Sequence, residues 1–379
     1  MRILHVTAAG ERGGLEVVLL NVLRCVDRSL FKPEVLLLQD GPFLADVEET
    51  ATETHVIAVG RVREMHKVTG AIAEIVKLVR SRKIDVVHTW NAKAHIYGGL
   101  AAAIARVPSL FHLQGVPKPA LSRDGLVSMV AVAIPARRTV ACSGYVSHAF
   151  TQAWHSRRQV VVIHNGVTPH VALEQAPPSV RREFGMEEGA PIVMMASRLQ
   201  RWKGVHVFLE AAAQVVESRP GVQFLVVGGA LFGLEEQYAV GLRKQVEDLE
   251  LSDSVHFAGF RSDVSRFYAE ADLVVHCSIE PEPFGMVVVE AMDYGKPVIA
   301  TNIGGPMEIV EAGVTGLLVP PKDASQLAQA ILSLLADPVR RTRMGDAGAV
   351  RVREHFGAKL MVNKLEELYE GMVEGSSRQ

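Results

Sequence analysis

The 379-residue sequence predicts an α/β protein made of two doubly wound parallel-sheet domains. Three observations lead to this prediction. Short, continuous apolar runs recur along the chain between longer helical patterns, as expected for strands buried on both faces of a parallel sheet. Gly-rich or polar turns follow several of these runs, which is where such sheets bind ligands. The length also exceeds what one core of typical size accommodates, so two domains are expected.

A polar, Pro-rich segment at 168–178 interrupts the alternation and is interpreted as a linker. It separates an N-terminal domain, 1–170, from a C-terminal domain, 171–356. The amphipathic stretch 361–372 lies in a final segment, about 357–379, that we expect to pack back on the first domain. The predicted strands of the first domain are 3–7, 35–39, 55–59, 85–90, 110–114, 139–143 and 160–167. Those of the second are 191–197, 223–229, 255–259, 272–278, 297–301 and 315–320.

Composition and charge exclude several classes of protein. The net charge of −2 gives no electrostatic reason to expect a nucleic-acid partner. Cys25, Cys142 and Cys277 have no metal-ligand spacing, which favours buried thiols in a reducing compartment. No apolar run reaches the length of a membrane span, and Met1 leads directly into a strand-like run. We therefore expect a cytoplasmic protein.

Two carboxylates flank the start of an apolar helix in the stretch 278–292. Phe284–Gly285 is typical of a turn into a helix, and the following residues predict that this helix is buried. Glu290 lies within it and would cost several kcal/mol, as a rough figure for a desolvated charge, unless a donor-rich partner binds it. Glu282 lies just before the helix N-terminus, where anions are bound. This pattern indicates a ligand site rather than a plain core.

Cations and glycines follow the neighbouring strands. Arg198 and Lys203 lie on the loop after strand 191–197 and suit a pyrophosphate, although a solvated basic loop is the alternative. Gly228–Gly229 permits close backbone approach to a ligand. Arg261 follows the next strand, in either a base pocket or a plain surface turn. The carboxyl ends of parallel strands meet at one edge of a sheet. We therefore expect these cations and glycines to lie close to Glu282 and Glu290 and to form one ligand site with them.

The chain resembles glycosyltransferase family 4, and the resemblance runs nearly from end to end. Members of the family have the GT-B fold, in which two Rossmann-like domains face each other over a central cleft. They transfer a sugar from a nucleotide-sugar donor with retention of anomeric configuration and without a metal. The matching text is GGLE (13–16), HNGV (164–167), SRLQRWKG (197–204), VVGG (226–229), the EPFG block with its second glutamate (282–290) and GGPMEIVEAGVTGLLV (304–319).

The resemblance implies a donor site in the C-terminal domain. Arg198 and Lys203 would hold the donor diphosphate. Glu290 would accept hydrogen bonds from the ribose hydroxyls, and Glu282 would hold hydroxyls of the donor sugar. The implied catalytic residues are Glu282, His112, Arg198 and Lys203. The remaining implied donor residues are Gly13, Gly14, Gly229, Arg261, Phe284, Gly285, Met286 and Val287.

The N-terminal domain is expected to hold the acceptor. The resemblance places His112 near the reacting sugar, where it would bond a sugar hydroxyl or the acceptor, although a lone His at a strand end is often structural. It also implies acceptor contacts from Glu16, His88, Asn91 and Lys93. Gly13–Gly14 lies on the first strand-to-helix loop and does not match the dinucleotide-binding pattern, so a nicotinamide site is excluded. A tight turn without ligand contact is the alternative for these glycines.

The predicted function is that of a retaining, metal-independent hexosyltransferase that uses a nucleotide-diphosphate sugar. A UDP-sugar is favoured as donor and a GDP-sugar comes next. The acceptor would be a hydroxyl of a glycan, a lipid-linked saccharide or a small molecule. No cofactor is expected, since the sequence has no Asp-x-Asp pattern and the cations would replace a magnesium ion.

Other functions remain open on the sequence alone. A nucleotide-sugar 2-epimerase, a phosphorylase-like relative and a non-catalytic nucleotide-sugar sensor would share the fold. The presence of Glu282 argues against a sensor, which need not keep a sugar-facing carboxylate. Segment 117–138 combines apolar residues with arginines and could dock on the inner face of a membrane, but an ordinary helix packed on the sheet is favoured. The oligomeric state is open.

Overall fold

The computed structural model describes residues 1–8, 13–59, 65–116, 123–154, 159–170, 179–230 and 235–374. Most of the expected linker, the start of segment 117–138 and the last residues of 357–379 lie outside this description. The chain divides into two compact units. Unit 1 comprises Met1–Thr168 and Phe356–Gln379, and unit 2 comprises Pro169–His355.

Unit 1 is built on a parallel sheet whose described strands have the order β3-β2-β1-β4-β5-β6-β7. These strands are β1 Arg2–Thr7, β2 Lys32–Leu37, β3 Glu53–Val56, β4 Val86–Thr89, β5 Ser109–Leu113, β6 Arg138–Ala141 and β7 Val160–Val162. The helices between them are α1 Gly14–Cys25, α2 Phe43–Glu48, α3 Met65–Ser81, α4 Ala92–Ala94, α5 Leu100–Ala105, α6 Arg123–Ala133 and α7 Gly144–Trp154. A π-helical turn, His95–Gly99, joins α4 to α5.

Unit 2 has its own parallel sheet, of strand order β10-β9-β8-β11-β12-β13. Its strands are β8 Ile192–Ala196, β9 Gln223–Val227, β10 Val255–Gly259, β11 Leu273–His276, β12 Val298–Thr301 and β13 Gly316–Val319. Its helices are α8 Val180–Glu183, α9 Val205–Ser218, α10 Glu236–Asp248, α11 Val264–Glu270, α12 Met286–Asp293, α13 Pro306–Ile309, α14 Ala324–Ala336 and α15 Pro338–His355. The chain then returns to unit 1 with α16 Ala358–Glu374.

Apolar side chains on both faces hold each sheet in its unit. In unit 2, for example, Phe208 of α9 packs edge to face on Phe224 of β9, with ring centroids 5.5 Å apart, and both rings are fully buried. The strand order reverses between β8 and β11, so the helices that follow these two strands, α9 and α12, pack on opposite faces of the sheet. A crevice at such a reversal is the usual ligand site of a doubly wound sheet.

Each predicted strand overlaps a strand of the structure, with two notable differences in length. β7 ends at Val162, whereas the sequence predicted strand through residue 167. Beyond this end the backbone pairs with the start of α16 instead, because Val167 N donates to Phe356 O (2.9 Å) and Ala358 N donates to Val167 O (2.8 Å). β3 covers Glu53–Val56 rather than 55–59.

The structure also bears on the thiols and on membrane spans. Cys142 and Cys277 are buried free thiols, as predicted, whereas Cys25 is only partly buried. Within the described ranges, the helices are all too short or too polar to cross a bilayer.

Candidate functional site

Two loops of unit 2 pack together at the carboxyl ends of β8 and β11. Gly204, which ends the turn after β8, has a φ of +76° and lies so close to the Cys277 carbonyl that a side chain would clash with it. Ile279 N donates to Trp202 O across the same junction (2.8 Å). This packing places Lys203, on the first loop, beside Glu282, on the second.

Lys203 and Glu282 form a mostly buried ion pair. Lys203 Nζ lies 2.5 Å from Glu282 Oε2, and the side chains are 13% and 12% exposed. Ser278 Oγ (3.1 Å) and His276 Nε2 (3.3 Å) approach the same oxygen. Burial alone would raise the pKa of Glu282, but the Lys203 ammonium and the His276 contact hold it well below its usual range.

All of these contacts fall on Oε2 of Glu282. In the part of the chain that the structure describes, Oε1 has no hydrogen-bond partner. An ionised carboxylate accepts through both oxygens, so Oε1 is available to hydroxyl donors of a ligand. Lys203 therefore holds the carboxylate in place, and Oε1 can still accept a hydrogen bond.

Arg198 lies on the loop after β8. Backbone hydrogen bonds hold this loop against the end of β9. Ser197 N donates to Val227 O (2.9 Å), and Leu199 N donates to Gly229 O (3.0 Å). Arg198 is partly buried, and its guanidinium has no hydrogen-bond or ion-pair partner among the described residues. A partly desolvated cation without a partner is costly, so this position suits an anionic ligand.

Glu290 lies on α12, whose start is fixed by a glycine. Gly285 has a φ of +108°, a left-handed conformation that permits the sharp entry from buried Phe284 into the helix. Glu290 Oε2 accepts a hydrogen bond from Tyr268 Oη (2.9 Å). Burial raises the pKa of Glu290, and the tyrosine bond offsets this only in part. The sequence predicted a donor-rich partner for Glu290. Among the described residues, the Tyr268 hydroxyl is the one group that donates a hydrogen bond to it. Met286 and Val287 form the first turn of α12 and are partly exposed.

Arg261 belongs to a cluster of four charges. Its guanidinium binds Glu183 (Nη1 to Oε1, 2.8 Å) and Asp263 (Nε to Oδ1, 2.8 Å), and Arg266 binds the same two carboxylates. The bonds from Arg261 hold the pKa of Asp263 well below its usual range. The guanidinium is therefore already occupied in this conformation, and a base-binding role for Arg261 stays a prediction.

In unit 1, the predicted glycine loop leads into α1. Gly13 precedes the helix, and Glu16 in its first turn is buried. Glu16 folds back so closely that a Cβ on Gly13 would lie 2.9 Å from Glu16 Oε2. Any larger residue at position 13 would displace this carboxylate. Gly14 is exposed at the start of the helix.

His88 and His112 belong to a buried chain of hydrogen bonds rather than to an exposed surface. His88 Nδ1 lies 2.6 Å from Tyr369 Oη of α16, and His88 Nε2 lies 3.1 Å from His112 Nδ1. His112 Nε2 lies 3.1 Å from Gln114 Nε2, and Gln114 pairs through both amide atoms with Asn165 (2.9 Å each). The chain therefore runs from the C-terminal helix to the end of β5.

The two histidines are held in their neutral form. Burial lowers the pKa of His112 to about 3 and that of His88 well below its ordinary value; the neighbouring His5 also has its pKa lowered to about 3. With the Gln114 amide as placed, its Nε2 donates to His112 Nε2. His112 Nδ1 then donates to His88 Nε2, and His88 Nδ1 donates to Tyr369.

This arrangement changes which residue meets the solvent. His88 and His112 are 0% exposed, so neither presents a surface to an acceptor in this conformation, and their predicted contacts stay predictions. Among the residues linked by these hydrogen bonds, the partly exposed Gln114 is the one that reaches the surface. Gln114, Asn165 and Tyr369 are members of this cluster that the sequence motifs did not single out. Gln114 ends the predicted strand 110–114, Asn165 lies in HNGV (164–167), and Tyr369 lies in the amphipathic stretch 361–372.

Asn91 and Lys93 line a cavity within unit 1. Asn91 Oδ1 accepts from Ala94 N (2.9 Å) and so caps α4, which carries Lys93. The cavity has a volume of about 270 Å³ and is lined by Asn91, Ala92, Lys93, Phe111, Leu113, Gln114, Gly115, Val116, Val127, Ser128, Val132, Phe150 and Trp154. Both predicted acceptor residues of this loop therefore line one cavity.

Among the described residues, one group of side chains has the spacing of a metal site, and it lies elsewhere. Glu34, Glu53 and His55 meet on β2 and β3 of unit 1. Glu34 already forms ion pairs with Arg2 (3.0 Å) and Arg82 (3.1 Å), so its negative charge is balanced by two arginines. The carboxylate of the unit 2 site, Glu282, is likewise paired with a lysine.

Comparison with known proteins connects both units to one family. The family described as "Glycosyltransferase Family 4" matches residues 12–171, and the one described as "Glycosyl transferases group 1" matches residues 178–351. The D-inositol 3-phosphate glycosyltransferase 1 of Catenulispora acidiphila is 28% identical over 390 residues, which cover 97% of this chain and 92% of the relative.

Solved structures give the same result. The crystal structure of HepE from Anabaena, in complex with UDP and glucose, is 31% identical, with a TM-score of 0.86 and coverage of 98% of this chain and 99% of HepE. The sucrose-phosphate synthase of Thermosynechococcus elongatus (22% identity, TM-score 0.80, 99% of each chain) supports the fold alone. The predicted resemblance, the two Rossmann-like sheets and the enzyme class are confirmed. The chain is therefore a glycosyltransferase of the GT-B fold and belongs to glycosyltransferase family 4.

Proposed function

We propose that this enzyme transfers a hexosyl group from a UDP-sugar to a hydroxyl acceptor, with retention of anomeric configuration and without a metal ion. The observation that carries the proposal is the pair of cations on the loop after β8. Arg198 has no partner in the described chain, and Lys203 is held by Glu282 beside the start of α12. Two positive charges at strand ends suit a diphosphate.

The other groups of the site match the rest of such a donor. Glu290 has a raised pKa and, among the described residues, one hydrogen-bond donor, Tyr268, so vicinal ribose hydroxyls would supply further hydrogen bonds. Glu282 Oε1 would accept from hydroxyls of the sugar. UDP is favoured over GDP because HepE, at 31% identity, was solved with UDP, with UDP-glucose and with UDP and glucose.

The proposed chemistry is a front-face displacement. The bond between the anomeric carbon and the β-phosphate oxygen breaks, and the acceptor oxygen bonds to the anomeric carbon on the same face. The acceptor proton passes to the departing diphosphate, so the products are the glycoside and UDP. Arg198 and Lys203 stabilise the negative charge that develops on the leaving group. Glu282 is better suited to position the sugar than to attack it, because its ionised carboxylate is fixed by Lys203.

A binding panel followed by product analysis tests the proposal. UDP, GDP and ADP are titrated into the full chain, and the nucleotide that binds is then supplied as its sugars with candidate acceptors and with EDTA. We expect UDP to bind most tightly and the product to keep the donor's anomeric configuration in its NMR spectrum. An inverted product, or transfer abolished by EDTA, would contradict the mechanism. A released epimer without a transfer product would indicate a 2-epimerase, and binding without turnover would indicate a sensor.

A further inference from the structure

The cavity of unit 1 is lined by many apolar side chains and by one cationic side chain among the described residues. Its walls are mostly apolar and come from the end of β5, from α6 and from α7, with Phe111, Val127, Val132, Phe150 and Trp154 among them. Its volume of about 270 Å³ is many times the roughly 10–15 Å³ that accommodates one water molecule. A space of this size and polarity suits a short hydrocarbon segment better than a sugar.

Lys93 is the cationic group of this lining. Its side chain is partly buried and has no hydrogen-bond or ion-pair partner in the described part of the chain. Burial lowers the pKa of Lys93, which shows that its surroundings disfavour the charge. An ammonium in an apolar lining is stabilised by an anion that arrives with the ligand.

Helix α6 adds a second apolar surface next to the cavity. Val127 and Val132 of this helix line the cavity, while Leu126, Met129 and Val130 are 53%, 43% and 39% exposed. The exposed residues are spaced three and four apart and so share one face of the helix. An apolar helix surface beside an apolar cavity favours a ligand that carries a flexible hydrocarbon chain.

We infer that the cavity binds the hydrocarbon part of an amphiphilic acceptor whose anionic group, a phosphate or a carboxylate, lies beside Lys93. This inference rests on the proposed function, because it names the class of acceptor that unit 1 would present. Asn91, which caps α4, and Gln114, which pairs with Asn165, also line the cavity and would offer polar contacts to the head group.

Calorimetry with simple probes tests the inference without the acceptor being known. Decyl phosphate, kept below micelle-forming concentrations, is titrated into the full chain beside decanol, inorganic phosphate and phenyl phosphate. Decanol keeps the chain and removes the charge, inorganic phosphate does the reverse, and phenyl phosphate replaces the chain with a ring. We expect decyl phosphate to bind at least tenfold more tightly than each of the other three.

Three variants assign the binding to this cavity. Lys93→Met should bind decyl phosphate and decanol equally, because the charge preference is lost. Val132→Trp should weaken both by filling the cavity. Lys32→Met removes an exposed lysine at the start of β2 and should bind as wild type does. Equal binding of decyl phosphate and decanol by the wild type, or unchanged binding by Lys93→Met, would overturn the inference.

A separate UDP titration keeps this result distinct from the proposed function. UDP is expected to bind all three variants as it binds wild type, because their substitutions lie in unit 1 and the cations assigned to the diphosphate lie in unit 2. Binding of UDP without binding of decyl phosphate would refute the inference alone. Binding of decyl phosphate without binding of UDP would count against the proposed donor and leave the cavity assignment standing.

Discussion

Lys203 Nζ lies 2.5 Å from Glu282 Oε2, and this pair joins two strand-end loops that are 79 positions apart in the sequence. Both side chains are mostly buried. Removing one partner of such a pair leaves an uncompensated charge in a poorly solvated place, which typically costs about 3–5 kcal/mol. The pair therefore stabilises unit 2 as well as shaping its ligand site.

The first prediction concerns the coupling of these two residues. Lys203→Ala should lower the free energy of unfolding by roughly 3 kcal/mol, because Glu282 keeps only His276 and Ser278 as partners. Adding Glu282→Gln to Lys203→Ala should recover part of this loss, since no charge is then left unpaired. Urea unfolding of the two single variants and the double variant measures the coupling. Losses that simply add would show that the pair is not coupled.

The second prediction concerns Glu290. Its pKa is raised in the folded protein, so the folded state favours the protonated form and stability is lost as pH rises through that pKa. Glu290→Gln should therefore be more stable than wild type at pH 7, and the gain should vanish at pH values below about 4, near the unfolded pKa. The same variant should bind UDP more weakly, because the ribose loses an ionised acceptor. Thermal unfolding and calorimetry check both effects; a variant that is less stable at pH 7 would contradict them.

The third prediction concerns acid sensitivity in unit 1. His5, His88 and His112 have lowered pKa values in the folded state, so their contribution is present above about pH 6.5 and is lost as pH falls. The loss amounts to at most about 1.4 kcal/mol per histidine for each pH unit. In unit 2, partial burial lowers the pKa of His206 and of His256, and the charge of Arg201 lowers that of His206 further.

Hydrogen exchange at pH 7.5 and 5.5 checks this difference between the units. After correction for intrinsic exchange rates, protection of the strands of unit 1 should fall more than protection of the strands of unit 2. The depressed pKa of Glu282 in unit 2 removes stability only at lower pH, as pH falls below about 4.5. Equal loss of protection in both sheets would show that the histidine cluster does not control acid stability.

The fourth prediction concerns the hydroxyl that ends the histidine chain. Tyr369→Phe removes the partner of His88 Nδ1 (2.6 Å) inside the core and should cost about 1–3 kcal/mol. UDP binding should be unchanged, because the group lies in unit 1. Chemical denaturation with a parallel UDP titration measures the two quantities. Unchanged stability would show that the His88 bond is replaced when the hydroxyl is lost.

The fold was largely predictable from local sequence patterns. Continuous apolar runs located each strand, because strands buried on both faces carry a signal that needs no knowledge of distant contacts. The exceptions lie where distant segments intervene. β7 stops at Val162 because the chain beyond it pairs with the start of α16, almost two hundred residues later. Periodicity does not report such a contact.

The site was predictable in chemistry more than in arrangement. The types and strand-end positions of Arg198, Lys203 and Glu282 indicated an anion and sugar site, but not that lysine and glutamate pair directly. The histidines show the opposite outcome. Their positions at strand ends suggested ligand contacts, yet the rings of His88 and His112 point into a core completed by Tyr369. Which face of these strands is buried depends on α16. The amphipathic stretch 361–372 predicted that this segment packs on the first domain, but not that it covers these two histidines.

The measurement that tests the central claim most directly is UDP binding by Arg198→Ala, compared with Arg201→Ala. Arg201 lies on the same loop, is exposed and serves as the matched control. Because the Arg198 guanidinium is partly buried and has no partner in the described chain, its removal should not lower the melting temperature. Its loss should weaken UDP binding at least tenfold, whereas Arg201→Ala should bind as wild type does. Wild-type affinity for UDP in Arg198→Ala would contradict the assignment of this loop to the donor diphosphate.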